Sequence, residues 1–427
     1  MLTSQKIKSV ENGGYDGVFA KLYPASDINR VRERYLRILR EFLRLYGEKE
    51  VTLFSVPGRT ELSGNHTDHN NGTALAGSVD IDIIAAVAAS GDMTVRMKSE
   101  GYREDVVDIS CTDPDKCIKG KSSAIIAGVA DYLKKHGYIA RGYCACTASD
   151  VISGSGLSSS AAFEVMCGRI FSELYNGGKV PVMELAKAGK YAENVFFGKP
   201  CGLLDQAACA SGGCLWIDFK DDSAPVTEKI DFDLSKDGYC LCIVNTGGNH
   251  ADLTDDYAAV PAEMKSVAKL LGKDVLRNCD ESAFYAALPE LRKKVSDRAL
   301  LRAIHFFNEN RRVSAQRDAL KRGDIKEYLS LVKQSGDSSF KFLQNVFTTR
   351  NVAEQGVSLA LALSESFGAV CRVHGGGFAG TIQAYLPVGR ANDYKKFIEK
   401  TFGEGSCRIT GIRPYGAAVL DENGIRG

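Results

Sequence analysis

What this 427-residue sequence lacks narrows its chemistry first. No stretch approaches the ~18 consecutive apolar residues that a membrane-crossing helix needs. The opening residues, MLTSQKIKSVENGG, carry two lysines but no apolar core, so no signal peptide is expected there. Charge of one sign is missing too: 54 basic side chains stand against 53 acidic ones. A partner of phosphate backbones carries a clear basic surplus, so neither nucleic acid nor anionic membrane is expected as a partner. The 13 cysteines are an odd number and contain no CxxC pair, which gives no sign of a disulfide framework. Cys144, Cys146, Cys240 and Cys242 sit in apolar runs as small strand hydrophobes. A reduced, cytoplasmic protein is expected.

Familiar phosphate and metal motifs are absent as well. The GxxxxGK[ST] pattern fails at Gly120-Lys121-Ser122, because Asp115 stands where its first glycine belongs. GxGxxG occurs literally at Gly375–Gly380, but the strand-like TIQAYLPV follows it instead of a helix, so it is not a dinucleotide motif. His66 and His69 have no third soft ligand nearby in the sequence, which argues against zinc. No internal repeat or low-complexity segment is present.

What is there divides into two α+β halves, residues 1–214 and 215–427. Residues 28–47 place Val31, Tyr35, Ile38, Leu39 and Phe42 on one face of a helix that ends at Gly47. Val51–Val56 reads as a strand broken by Pro57-Gly58, and 79–89 and 141–148 as further strands. Helices are expected from Ser160 to about Tyr175 and, with Pro181 in its first turn, to about Asn194. Strands at Cys214–Phe219 and Tyr239–Val244 precede helical stretches over 254–271 and 283–367. Strands near 370–373, 381–386 and 408–419 close the chain.

The 43 glycines gather in three clusters. In Gly154-Ser155-Gly156-Leu157-Ser158-Ser159-Ser160-Ala161-Ala162, glycines let a ligand approach the backbone, and serines supply hydroxyls where a helix begins. The free amides and positive dipole end of that helix make an anion site. A serine-capped helix is the plain alternative, but three serines and small residues opening a long helix favour phosphate. The second cluster, Pro57–Gly72, is dense in short donors and acceptors, with Asn65, His66, Asp68 and Asn70 among them. Such groups at a strand end suit a polyhydroxy ligand better than an idle surface loop. The third, Val373–Gly380, is either a bare hairpin or a loop that covers a ligand or buttresses another glycine loop.

In this order the clusters resemble the GHMP family of small-molecule kinases, and its galactokinase branch closely. GRTELSGNHTDHNNG is similar to that branch's GRxNLIGEHTDYNxG, Gly156–Val165 to GLSSSAAxEV, and HGGGFAG to TGGGFGG. ENVFFGKPCGLLDQ (Glu193–Gln206 with its preceding pattern ENxFxGxPCGIMDQ) and RAIHFFNENRRV (Arg302–Val313 with RAxHVVxENxRV) extend the resemblance from about residue 50 onward. It implies an N-terminal α+β domain and a ferredoxin-like C-terminal domain with the active site between them. It further implies ATP and Mg²⁺ as cofactors and transfer of phosphate to the C1 hydroxyl of a galactose-type sugar.

By the same resemblance, residues Gly154, Ser155, Gly156, Leu157, Ser158, Ser159, Ser160 and Ala161 wrap the ATP phosphates. Ser160 and Glu193 match the Mg²⁺ positions, and Asp205 and Arg59 the catalytic carboxylate and its partner. Asn65, His66, Asp68, Gly202 and Tyr257 match positions that line the sugar. The resemblance leaves the oligomeric state open, a monomer included.

Several residues depart from the pattern. Asn65 replaces a glutamate facing the sugar's C6 hydroxyl, and His69 a tyrosine. Glu61 and Ser63 replace asparagine and isoleucine, and His374 and Ala379 replace threonine and glycine. Because asparagine would not repel a 6-carboxylate, galacturonate stands as an alternative to galactose. A sugar and ATP sensor of little activity is a second alternative. The complete serine motif, with Arg59, Glu193 and Asp205 all present, favours an enzyme.

Overall fold

The computed structural model describes residues 1–24, 27–151, 156–221, 224–248, 253–378 and 380–427. Gly154, Ser155 and Ala379 lie outside them. The first strands are β1 (Thr52–Ser63), β2 (Thr73–Ala89), β3 (Thr94–Ser99), β4 (Asp105–Asp108), β5 (Tyr143–Ser149), β6 (Cys214–Asp218) and β7 (Val226–Ile230). Next come β8 (Tyr239–Asn245), β9 (Val370–Val373), β10 (Thr381–Pro387) and β11 (Cys407–Thr410), then β12 (Ala418–Asp421) and β13 (Gly424–Arg426). Among the described residues they make a nine-stranded sheet, β13-β12-β1-β2-β5-β3-β4 with β6 and β7 branching from β2, and a four-stranded sheet, β11-β8-β10-β9. The α+β class expected from the sequence is what is found.

Strand pairing crosses residue 214. β6 and β7 still join the larger sheet, and β12 and β13 return to it after the smaller sheet is complete.

β2 organises the larger sheet. Its second half pairs β5 through Ile83–Ala89, and its first half pairs β6 through Thr73–Gly77. Along Ile83–Ala88 successive residues point to opposite faces and both faces are covered, so the stretch reads as one continuous apolar run. Ile83, Ala85 and Val87 face a core shared with the helices Ser122–Lys135, Ser159–Asn176 and Val182–Tyr191. Ile84, Ala86 and Ala88 face the helix Ile28–Tyr46, whose Val31, Tyr35, Ile38, Leu39 and Phe42 are all buried there. Gly47 ends that helix, as the sequence indicated, and Asp27 caps its start by accepting from the Asn29 amide. The smaller sheet packs on the helices Gly356–Phe367 and Ala391–Phe402.

Four expectations are corrected. Pro57-Gly58 does not end β1: the strand runs on to Ser63, with a register irregularity against β2 between Pro57 and Arg59. Proline is tolerated there because a bulge does not require its missing N–H. The stretch 283–367 is not one helical region but Glu281–Leu291, Asp297–Lys321, Ile325–Ser338 and Gly356–Phe367. Ser296 and Asp324 start two of these by accepting from the amides of Ala299 and Glu327. Pro181 precedes the helix Val182–Tyr191 as its cap. Finally, 408–419 is two strands in two different sheets. No helix among the described residues is long and apolar enough to cross a membrane. The GxGxxG stretch is indeed followed by a strand, β10.

Candidate active site

The continuation of β1 past Pro57-Gly58 is what builds the site. Gly58 admits the chain of the glycine-serine cluster: a Cβ there would stand 2.7 Å from the Leu157 carbonyl oxygen, which accepts instead from the Arg59 amide at 3.1 Å. The Arg59 side chain then grips Asp205, with Nε donating to Oδ1 at 2.7 Å and Nη2 to Oδ2 at 2.8 Å. Its Nη1 donates to the Gly156 carbonyl. This two-pronged geometry fixes both partners in one plane. Asp205 lies in the first turn of the helix Leu204–Ser211, and its side chain is 35% exposed.

Ser158 completes the group. It precedes the helix Ser159–Asn176 in a left-handed conformation (φ 57°) that non-glycine residues seldom adopt. Instead of capping that helix, its hydroxyl donates to Asp205. Burial works to raise the Asp205 carboxyl, but the Arg59 charge and the Ser158 hydroxyl overcome it and hold the group below its usual range. Asp205 is therefore an ionised carboxylate, available as a proton acceptor.

Next to this group is a cavity of about 170 Å³ lined by Arg59, Glu61, His66, Asp68, His69, Cys201, Gly202, Leu204, Asp205, Gln206, Gly375 and Gly376. Pockets for drug-sized ligands run to about 300–1,000 Å³; this one is sized for a small molecule. Its lining comes from three stretches distant in the chain: β1 with its following loop, the start of the helix Leu204–Ser211 with the residues before it, and the glycine loop between β9 and β10.

His66, also left-handed (φ 60°), faces the Gly376 carbonyl at 2.9 Å from Nε2. A carbonyl can only accept, so Nε2 carries the proton and Nδ1 is left as an acceptor. Burial, then His69, draws its pKa down to about 4, which keeps the ring neutral. Asp68 accepts from the His69 amide at 2.9 Å and packs beside Gly202.

Of the sequence candidates, Arg59, Asp205, His66, Asp68 and Gly202 line one cavity. Tyr257 is not in its wall: the ring lies against the backbone of Gly376, and its hydroxyl donates to the Gly377 carbonyl at 2.9 Å. Asn65 is wholly buried behind the wall. In the serine cluster Leu157 and Ala161 are buried in the core, while Ser160 is exposed in the first turn of its helix. The third cluster lies against both the cavity and the glycine-serine turn. Gly375 and Gly376 cover the cavity, and His374 buttresses the glycine-serine turn. A Cβ on Gly156, already at φ 72°, would meet Thr381 Oγ1 at 2.7 Å and His374 Nδ1 at 3.0 Å.

Sequence reasoning missed the residues behind the wall. From the helix Asp297–Lys321, His305 lies 2.9 Å from the Asn65 carbonyl. Glu309 accepts from Ser63 at 2.9 Å, the Gly64 amide at 3.2 Å and Ser335. The ENRRV stretch was the available signal, since polar residues at helical spacing inside a buried helix must have partners. Gln206 was also missed. Its amide donates to Glu164 at 2.9 Å and to Glu193 at 3.2 Å, so it joins two buried carboxylates.

Comparison with known proteins identifies the family and the fold. Residues 123–213 match the model of the GHMP kinases N terminal domain, and residues 40–89 that of the galactokinase galactose-binding signature. The galactokinase of Streptomyces coelicolor is 32% identical over 370 residues, covering 86% of this chain and 92% of that protein. The galactokinase of Glaesserella parasuis is 28% identical over 399 residues, covering 90% and 97%. Among solved structures, Lactococcus lactis galactokinase complexed with galactose superimposes with a TM-score of 0.73 at 24% identity, over 89% of this chain and 98% of that one. A mevalonate kinase reaches 0.57 at 15% identity, over 84% and 98%. The fold is that of the GHMP kinases, and the chain belongs to the galactokinase family.

Proposed function

We propose that this protein phosphorylates the anomeric hydroxyl of D-galactose, forming α-D-galactose 1-phosphate and ADP from ATP. The observation that carries the reading is the Arg59–Asp205–Ser158 group, set where a sugar-sized cavity meets the start of the helix Ser159–Asn176. An anomeric hydroxyl is a weak nucleophile at neutral pH. Asp205, ionised and in the cavity wall, takes its proton as the oxygen attacks. Arg59 keeps that carboxylate charged and oriented, and its guanidinium lies close enough to Gly156 to face the transferred phosphoryl group as well. The amides of the serine turn and the first turn of its helix hold phosphate oxygens. Most of the rate comes from this alignment, since phosphoryl transfer asks mainly for position and charge compensation.

The donors near that turn fit Mg²⁺. Glu193 is tied to Lys199 Nζ at 3.1 Å and to Gln206, and Lys199 is 63% exposed. Behind them Glu164 leaves one buried oxygen without a partner, and burial and Glu193 push its carboxyl well above the usual range. Two hard-oxygen carboxylates with too few donors suit a cation. Glu193 and Ser160 would hold the ion, which would neutralise phosphate charge when bound. Among the described residues no group of three or more His, Cys, Asp or Glu side chains is placed to hold a metal ion by itself.

The test is ADP release by purified protein with Mg·ATP and one sugar at a time: galactose, galacturonate, N-acetylgalactosamine, glucose or arabinose. Turnover dominated by galactose is expected. A protein that releases ADP with none of them, yet binds galactose and ATP, would overturn the enzymatic reading.

A further inference from the structure

At positions 61 and 65 this chain has glutamate and asparagine where the pattern it resembles has asparagine and glutamate. The two side chains touch: Asn65 Nδ2 donates to Glu61 Oε1 at 2.9 Å. Their placements differ. Asn65 is fully buried and every polar atom of its amide is engaged. Nδ2 also donates to the Gly375 carbonyl, while Oδ1 accepts from Asn345 at 2.6 Å and from Ser339 at 3.4 Å. Acceptors on one side and donors on the other leave the amide a single orientation. Glu61, by contrast, stands in the cavity wall. Its Oε1 takes Asn65 and the buried Arg372, whose Nη2 is 3.1 Å away. Its Oε2 has no hydrogen-bond partner among the described residues.

We propose that Glu61 is the specificity-determining residue of the sugar cavity, its outward oxygen accepting a hydroxyl hydrogen of the sugar, and that Asn65 is the positioning residue that aims it. The inference rests on the reading of this cavity as the galactose site. A carboxylate only accepts, and a sugar hydroxyl in front of it gives a charge-assisted bond. The same charge turns away sugar acids. Glu61, Asp68 and Asp205 line the cavity against one cation, Arg59, which is already committed to Asp205. A carboxylate on the substrate would meet like charge with no free counter-ion. Burial raises the Glu61 carboxyl above its usual range, and Arg372, buried behind it, and Arg59 pull it part of the way back toward the charged form. The negative wall is thus rebuilt from a different position rather than lost, and Asn65 does not open the cavity to galacturonate.

Two measurements test this. On the unaltered protein, galactose should raise the melting temperature and galacturonate at the same concentration should not; an equal shift with both overturns the proposal. In Glu61→Gln, which keeps the shape and an acceptor for Asn65 and Arg372, KM for galactose should rise about tenfold with kcat changed far less. The galactose-to-galacturonate ratio of kcat/KM should fall by at least roughly tenfold, as for loss of one charge-assisted bond. A folded Glu61→Gln with unaltered KM and ratio overturns it. For Asn65, Asn65→Ala should raise KM in the parent and add little in the Glu61→Gln background; full additivity would make Asn65 merely structural. If the unaltered protein acts on no galactose-type sugar, the functional reading itself fails. If it does and Glu61→Gln is silent, only this inference does.

Discussion

The proposed reacting end of the site and its proposed sugar-facing wall are built by opposite strategies. At the reacting end Arg59, Gly156, Ser158 and Asp205 all match the family pattern, and they satisfy one another in a small closed group. In the wall Glu61, and behind it Ser63, Asn65 and His374, all depart from it, yet each has found a partner inside the protein. Glu61 pairs with Asn65 and Arg372, Ser63 with Glu309, and His374 sits 3.1 Å from Thr60 Oγ1 and 2.9 Å from Thr381 Oγ1. Atoms that must meet a transition state leave little freedom in residue type. Atoms that only recognise a ground state can be redistributed, provided that no buried polar group is left unpaired.

The comparison can be broken most severely at the reacting end. Asp205→Asn should lower kcat about 10³-fold, the scale of a lost general base, while sugar still raises the melting temperature. Near-parent kcat would remove Asp205 from its role. On the other side, Glu309→Ala should strike the wall from behind. It strands Arg312 and frees Ser63, Gly64 and Ser335, so stability should fall by about 3–5 kcal/mol in denaturant unfolding. A loss under about 1 kcal/mol would show the wall to be independent of that helix.

Smaller effects sharpen the contrast. The His66 ring, near His69, Asp68 and His305, titrates at about 4 in the folded protein against about 6.5 when unfolded. Between those values the unfolded chain takes up a proton that the fold refuses. The contribution of His66 to stability is therefore complete above pH 6.5 and declines as the pH falls toward 4. His66→Asn, tolerant of the left-handed backbone, should flatten that part of the melting-temperature profile; an unaltered slope would count against a neutral buried ring. Last, Ser160→Ala should raise the Mg²⁺ concentration for half-maximal rate roughly tenfold, and unchanged dependence would take Ser160 out of the metal site.

The legible parts of the sequence were those where one period dominates. Val31 to Phe42 show a helical face because only one side of that helix meets the core. The helix Ser122–Lys135 went unread because it is buried almost all round, from Ala124 to Leu133, which erases the amphipathic signal. The second half of β1 looked like a loop because Arg59, Thr60, Glu61 and Ser63 are polar. They are buried nonetheless, each held by a partner distant in the chain, and no local pattern announces such pairs. The same blindness hid the exchange of roles between Glu61 and Asn65. Asn65 lies beyond the end of β1, past a register irregularity between Glu61 and Ser63, and spacing alone does not reveal which of the two faces the cavity.

The return of β12 to the larger sheet has a consequence for how the protein is made. β1, which carries Arg59 and Glu61, has β2 on one edge and β12 on the other, with Leu53 opposite Leu420. A long stretch of chain, holding the whole smaller sheet, separates those two leucines, so on the ribosome β1 keeps a bare edge until β12 emerges. Loop closure over such a length is slow, and an unpaired strand edge invites wrong partners in the meantime. Completion of β1 thus waits for β12, and a growing chain has no finished strand there before β12 is made.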